Sequence, residues 1–130
     1  MVTRVRFPVF GGEATVAVTE PSAPTEAQWI VQDELDVVDR ACSRFRPDSE
    51  LTALNEAAGR PVRVSAALGE AISVALRAAA LTDGDVDPTI GEAVRVLGYD
   101  RDFAAVGASG PPVVRVARVP GWQCVTVCRA

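Results

Sequence analysis

"LTDGDVDPTIG", residues 81–91, sets Asp83, Asp85 and Asp87 at alternate positions around Gly84 and ahead of Pro88. A metal loop, a helix boundary and a ligand pocket all fit such a stretch. Gly84 suits the left-handed residue just past a helix C-terminus. Asp87 suits the N-cap of a following helix, with Pro88 at its first position. That helix is expected to run to about Leu97 and to stop at Gly98. Alternate oxygen ligands also suit Ca²⁺, as in an EF-hand loop. Counted from Asp83, however, Pro88 stands where the loop's glycine belongs and Val94 where its bidentate glutamate belongs. The EF-hand fails on both counts, which leaves a Ca²⁺ module as a distant reading. The plain reading is a joint between two helices with solvated acids.

Working outward, Ser65 caps an expected helix from about Ala66 to Leu81. It is alanine-rich, with Glu70 and Arg77 as its ionised groups, so burial on most sides is expected. "PVRVS" ahead of it reads as a short strand. "RPDSELTALNEAAGRP" breaks an earlier helix at Pro47 and restarts a short one behind Asp48 or Ser49. The earlier helix opens on a Thr25/Gln28 capping box. Its 3.6-residue apolar period runs through Ala27, Ile30, Val31, Leu35, Val38, Cys42 and Phe45. Residues 3–9 and 13–18 flank Gly11-Gly12, partly alternate, and read as a β-hairpin.

Beyond residue 102 the chain has no acidic residue, and "PVVRVARV" and "GWQCVTV" look like strands around a Pro120-Gly121 turn. The expected fold is α+β: an N-terminal hairpin, three to four helices and further strands at the C-terminus. The final strand lacks neighbours, so the domain is read as incomplete.

Composition narrows the chemistry. The 130 residues are 48% hydrophobic, enough for one core, but 5% aromatic, so Val, Ala, Leu and Ile must build it. Apolar runs such as "AAAL" fall far short of the roughly 20 residues a membrane helix needs. No apolar run follows "MVTRVRF" to form a secretory signal, so a cytoplasmic location is expected unless translation starts upstream. A net charge of −4 gives nucleic acid no electrostatic footprint. All 13 basic residues are arginine, a mark of a GC-rich genome, so Schiff-base and P-loop chemistry lack their lysine. Histidine is absent too, which excludes Ser-His-Asp and Cys-His catalysis. Cys42 reads as a small core residue. Cys124 and Cys128, on one strand face, would stand about 13 Å apart, too far for a disulfide.

Several segments in order carry a resemblance. They are Ser43-Arg44-Phe45, Asp48-Ser49-Glu50-Leu51, Leu54-Asn55, and Thr82-Asp83-Gly84-Asp85-Val86-Asp87-Pro88-Thr89 with Gly91 and Leu97-Gly98-Tyr99. Over residues 41–99 the chain resembles the ApbE-type flavin transferase family, with a looser match at Phe10-Gly11-Gly12. The resemblance implies Mg²⁺-dependent transfer of FMN from FAD to a threonine or serine hydroxyl of a target flavoprotein, with AMP leaving. Such phosphoryl-type transfer depends on positioning and charge neutralisation rather than on His or Lys.

Carried over residue by residue, Phe45 matches a flavin-contacting aromatic. Asp85, Val86 and Asp87 match the turn lying against FAD, and Phe10 matches a methionine of the N-terminal step. No catalytic side chain is assigned. Val86 replaces a bulkier residue, and Asp85 adds charge beside an anionic ligand. Family members are longer, and their Mg²⁺ ligands lie in the half that this chain lacks. The resemblance therefore implies an N-terminal half, inactive alone, with no metal site of its own; some family members are exported. The rival reading is a non-enzymatic half-domain that binds a partner through unpaired C-terminal strands.

Overall fold

The computed structural model describes residues 1–102, 105–107 and 118–128. Strands β1 (Thr3–Val9) and β2 (Gly12–Val18) pair antiparallel, from Thr3 opposite Val18 to Val9 opposite Gly12. The period-2 alternation sends Val5, Phe7 and Val9, with Ala14, Val16 and Val18, to the inner face, and Arg4, Arg6, Glu13 and Thr15 to water. Phe7 faces Ala14 across the ladder and is buried. The two-residue tip is Phe10-Gly11, not Gly11-Gly12. Both residues have positive φ (50° and 72°), as the twist of a two-residue hairpin requires. Glycine accepts that region freely, whereas a phenylalanine there is strained.

Helix α1 spans Pro24–Cys42. It opens one residue ahead of the Thr25/Gln28 box, because Pro24 already carries the φ of a first helical residue. Ala23 is the N-cap, and no side chain caps it. Its inward face carries Ala27, Val31, Leu35, Ala41 and Cys42, while Ile30 and Val38, expected inside, are exposed. The face is thus rotated relative to the one the apolar residues drew. Phe45 lies beyond the helix, which ends at Cys42 with Ser43 as its extended C-cap. Burial raises the Cys42 thiol's pKa, with a smaller push from Glu50.

The remaining helices are α2 (Glu50–Glu56), α3 (Ala66–Leu81) and α4 (Gly91–Val96). Ser49 and Ser65 cap α2 and α3 as expected, accepting from the backbone N–H of Thr52 and Leu68. Residues 61–65 form no strand. The Ser65 N–H is donated to Glu50 Oε2 at 2.7 Å, so a side chain takes the place of a ladder partner.

Helix α1 packs on the hairpin, α2 and α3. Among the described residues the buried apolar ones are Phe7, Ala41, Ala57, Leu68 and Ala79. Helix α3 is less buried than its composition implies: Leu68 and Ala79 are covered, but Val74 and Leu81 face water.

At the C-terminus, residues 118–128 contain one 3₁₀ turn (Trp122–Cys124) and no strand, which corrects the expectation for "GWQCVTV". Gly121, at φ 92°, turns the chain into that helical turn and away from an extended path. Cys124 lies in the turn, and both it and Cys128 are exposed free thiols. "PVVRVARV" falls mostly on residues 108–117, outside the described residues.

Candidate functional site

The loop after α1 is held by hydroxyls. Ser43 Oγ accepts from the N–H groups of Phe45 and Arg46, each at 3.3 Å, and so turns the chain out of the helix. Ser49, 2% exposed, donates from Oγ to the Ser43 carbonyl at 2.7 Å and accepts from the Thr52 N–H at 3.1 Å. Thr52 Oγ1 in turn donates to the Arg46 carbonyl at 2.8 Å. The Arg46 guanidinium forks onto both Asp48 carboxylate oxygens (3.1 and 2.9 Å) and reaches Asp39 Oδ2 at 3.0 Å. The Arg46 bond holds the Asp48 carboxyl below its usual range.

This frame sets the Phe45 ring edge-to-face against Tyr99, with centroids 5.5 Å apart at 62°. The Arg44 guanidinium lies over both rings, 4.9 Å from each centroid. Phe45 therefore joins the loop to the Leu97-Gly98-Tyr99 end, two segments 54 residues apart (99 − 45).

The opening aspartates sit in a turn closed at both ends. Past α3, Asp83 (φ 51°) and Gly84 (φ 89°) are both left-handed, and the Gly84 N–H reaches the Ala79 carbonyl at 2.9 Å. This is a Schellman stop whose left-handed C′ residue is the aspartate, with glycine following. Thr82 Oγ1 donates to the Ala78 carbonyl and accepts from the Val86 N–H.

Asp87 does not cap α4, whose N-cap is Ile90. Its Oδ1 instead accepts from the Thr89 N–H (2.8 Å) and the Thr89 hydroxyl (2.7 Å), an Asx-type turn over Pro88. A residue fixed that way delays the helix to Gly91. Thr89 Oγ1 also accepts from the Gly121 N–H at 3.0 Å, and a Cβ on Gly84 would meet Trp122 Nε1 at 3.5 Å. The Gly121-Trp122 segment thus lies over the aspartate turn.

Asp85 and Val86 are exposed. Phe10, 56% exposed, stands at the hairpin tip, where a Cβ on Gly11 would lie 3.8 Å from Asp102 Oδ1. Of the residues singled out from sequence, Phe45 and Asp87 are built into side-chain contacts, whereas Phe10, Asp85 and Val86 face solvent. Sequence reading missed Arg44 and Tyr99 as ring partners, and Thr89 and Trp122 as ties on the turn. The Asp-x-Thr spacing was the one available signal for Thr89.

The carboxylate of Asp87 is held below its ordinary range, first by the Thr89 hydroxyl, then by backbone N–H groups of Thr89 and Trp122. A depressed folded value means that this contribution is full above the unfolded value and is lost as pH falls through the folded one. Acidification below the ordinary aspartate range is therefore expected to release the Gly121-Trp122 segment. Thr89→Val is expected to do the same at neutral pH, costing about 1–2 kcal/mol for its two hydroxyl bonds. In a Trp29→Phe background, a red shift of Trp122 emission reads both; unchanged emission in the valine variant refutes the tie.

A family model described as "ApbE family" matches residues 3–127. The chain belongs to the ApbE family. Curated relatives include the FAD:protein FMN transferase of Klebsiella pneumoniae, 35% identical over 89 residues, which are 68% of this chain and 25% of that protein. The FAD:protein FMN transferase of Salmonella typhimurium is 32% identical over 72% of this chain and 27% of its own length. The match thus spans about a quarter of the length of these curated relatives. The crystal structure of the ApbE protein of Thermotoga maritima superposes with a TM-score of 0.71 at 19% identity, over 85% of this chain and 36% of that one. The α+β fold of this ApbE-family chain is therefore that of the matching part of a solved member. No helix among the described residues is long and apolar enough to cross a membrane.

Proposed function

We propose that this chain serves FMN transfer from FAD to a threonine or serine hydroxyl of a target flavoprotein, with AMP released, and that it supplies part of the FAD site. The observation that carries the reading is family membership over residues 3–127, with relatives named for that reaction. Phe45 and the Asp85-Val86-Asp87 turn are the proposed FAD contacts, with Phe10 at the hairpin tip as a third. Phe45 would offer ring area, and its tilt against Tyr99 orients it. Asp85 can accept hydrogen bonds from ribose hydroxyls or a ring N–H, because the Asp87-Thr89 turn keeps the backbone beside it in place.

The Mg²⁺ that the resemblance implies finds no cradle of three acidic or thiol ligands among the described residues. Among the described residues no three Asp, Glu or Cys side chains converge, and residues 103, 104, 108–117, 129 and 130 include none of these types.

FAD titration tests the reading: quenching of flavin fluorescence on addition of the chain is expected, and no binding would sink it. With FAD, Mg²⁺ and an acceptor peptide, the 130-residue chain alone is expected to transfer no FMN. Flavinylated peptide by mass spectrometry, above a no-protein control, would overturn that expectation.

A second reading, a half-domain that binds a partner protein, draws on the exposed Trp29 (69%), Ile30 (61%) and Leu81 (80%). Its expected association through C-terminal strands finds no ladder in residues 118–128. Sedimentation as a clean monomer would count against it.

A further inference from the structure

Around Phe45 the carboxylates are already paired with other arginines. Asp39 and Asp48 are held by Arg46, and Asp100 is held by Arg101 through contacts of 2.7 and 3.0 Å. Arg44 makes no ion pair among the described residues and is exposed. Its guanidinium instead lies against two rings, equidistant from both. The two rings attract the cation without accepting a conventional hydrogen bond, so the Arg44 N–H donors are left for an anion, and their fork matches two phosphate oxygens. The rings also hold it in place, which lowers the entropy lost when an anion binds.

We infer that Arg44 is the residue of this chain that grips the pyrophosphate of the dinucleotide, next to the ring that Phe45 offers its aromatic part. The inference rests on the proposed FAD site and deepens it by assigning the phosphate contact. Cation and ring come from adjacent residues, so a ligand joining a flat ring to a phosphate is the chemistry the pair recognises. Arg46, three-fold committed to Asp39 and Asp48, is the framework arginine of the same loop. Arg44 positions the ligand and takes no chemical part in transfer.

The test compares FAD with riboflavin, which carries the same ring system without phosphate, by fluorescence titration of the 130-residue chain. Arg44→Ala is expected to weaken FAD about tenfold, the size of one charge-assisted contact, and to leave riboflavin within about twofold. Arg44→Lys, which keeps the charge but not the planar fork, is expected to fall between. The loss for FAD should shrink at high salt. Two results would overturn the inference while leaving the FAD site standing: wild-type FAD affinity retained in Arg44→Ala, or equal losses for FAD and riboflavin. A wild-type chain that binds neither flavin overturns the functional reading itself, and the inference with it. Unchanged thermal melting of the exposed-site variants keeps an effect on affinity separate from one on folding.

Discussion

Ser49→Ala is expected to cost about 2–3 kcal/mol of unfolding free energy, well above the usual value for losing an N-cap serine. An ordinary cap satisfies one backbone N–H at a wet helix end. Ser49 is 2% exposed, caps Thr52 N–H, and also donates to the Ser43 carbonyl, so its loss leaves a part-buried donor and a part-buried acceptor without their partner together. Alanine brings no replacement for either bond, and the Ser49 side-chain position itself is closed to water. The "Ser-Glu-Leu" serine of the family resemblance therefore ties α2 to the end of α1, and in the proposed FAD site it would act through the loop rather than by contact. Urea titration should show a lower midpoint with an unchanged slope. Ser22→Ala, which removes an exposed hydroxyl bonded to Glu20, should stay within about 0.5 kcal/mol. A Ser49→Ala midpoint equal to wild type would show that the loop is held by Arg46 and its two carboxylates instead.

What could be read from the chain before its structure follows from how local each cause is. The caps at Ser49 and Ser65 were legible because a side chain and the N–H it serves lie three residues apart. The hairpin was legible because alternation and a glycine tip are both short-range. Thr25 misled because Pro24 sets its own φ whatever follows it. Asp87 misled because an Asx turn and an N-cap use the same residue type, and the structure chose Thr89 rather than a helix end. The strand expected at 61–65 failed for a distant reason: the group that meets Ser65 is Glu50, fifteen residues back. Of the site, Phe45 and the aspartate turn came from resemblance. The Arg44 stack could not be foreseen, since Tyr99 reaches it only once α3 and α4 have folded back. Trp122 over Gly84 is likewise a tertiary contact with no local signature.

Leu68→Ala is expected to destabilise the chain by about 3 kcal/mol, within the span seen for buried leucines, and to lower Tm by about 10 °C in a domain of this size. The reason lies in how little else anchors α3. Its two buried residues, Leu68 and Ala79, are eleven positions apart and so about 20° from each other on the wheel, one narrow stripe. Ala79 offers a single methyl and Ile72 and Leu76 are only half-buried, so Leu68 is the one large side chain by which the helix is fully anchored. Leu81→Ala, at 80% exposure on the same helix, should change stability by no more than about 0.5 kcal/mol.

The same pair separates anchoring from ligand binding. Leu68 lies fourteen residues before Thr82, about 20 Å along the helix, while the aspartate turn is closed by bonds of its own to Ala78, Ala79, Thr89 and Gly121. Sites that far apart with no shared partner act additively. Measured well below its lowered Tm, Leu68→Ala should therefore keep FAD affinity within about twofold of wild type. A loss of affinity in the folded variant would mean that the turn takes its shape from the seating of the whole helix rather than from its own hydrogen bonds.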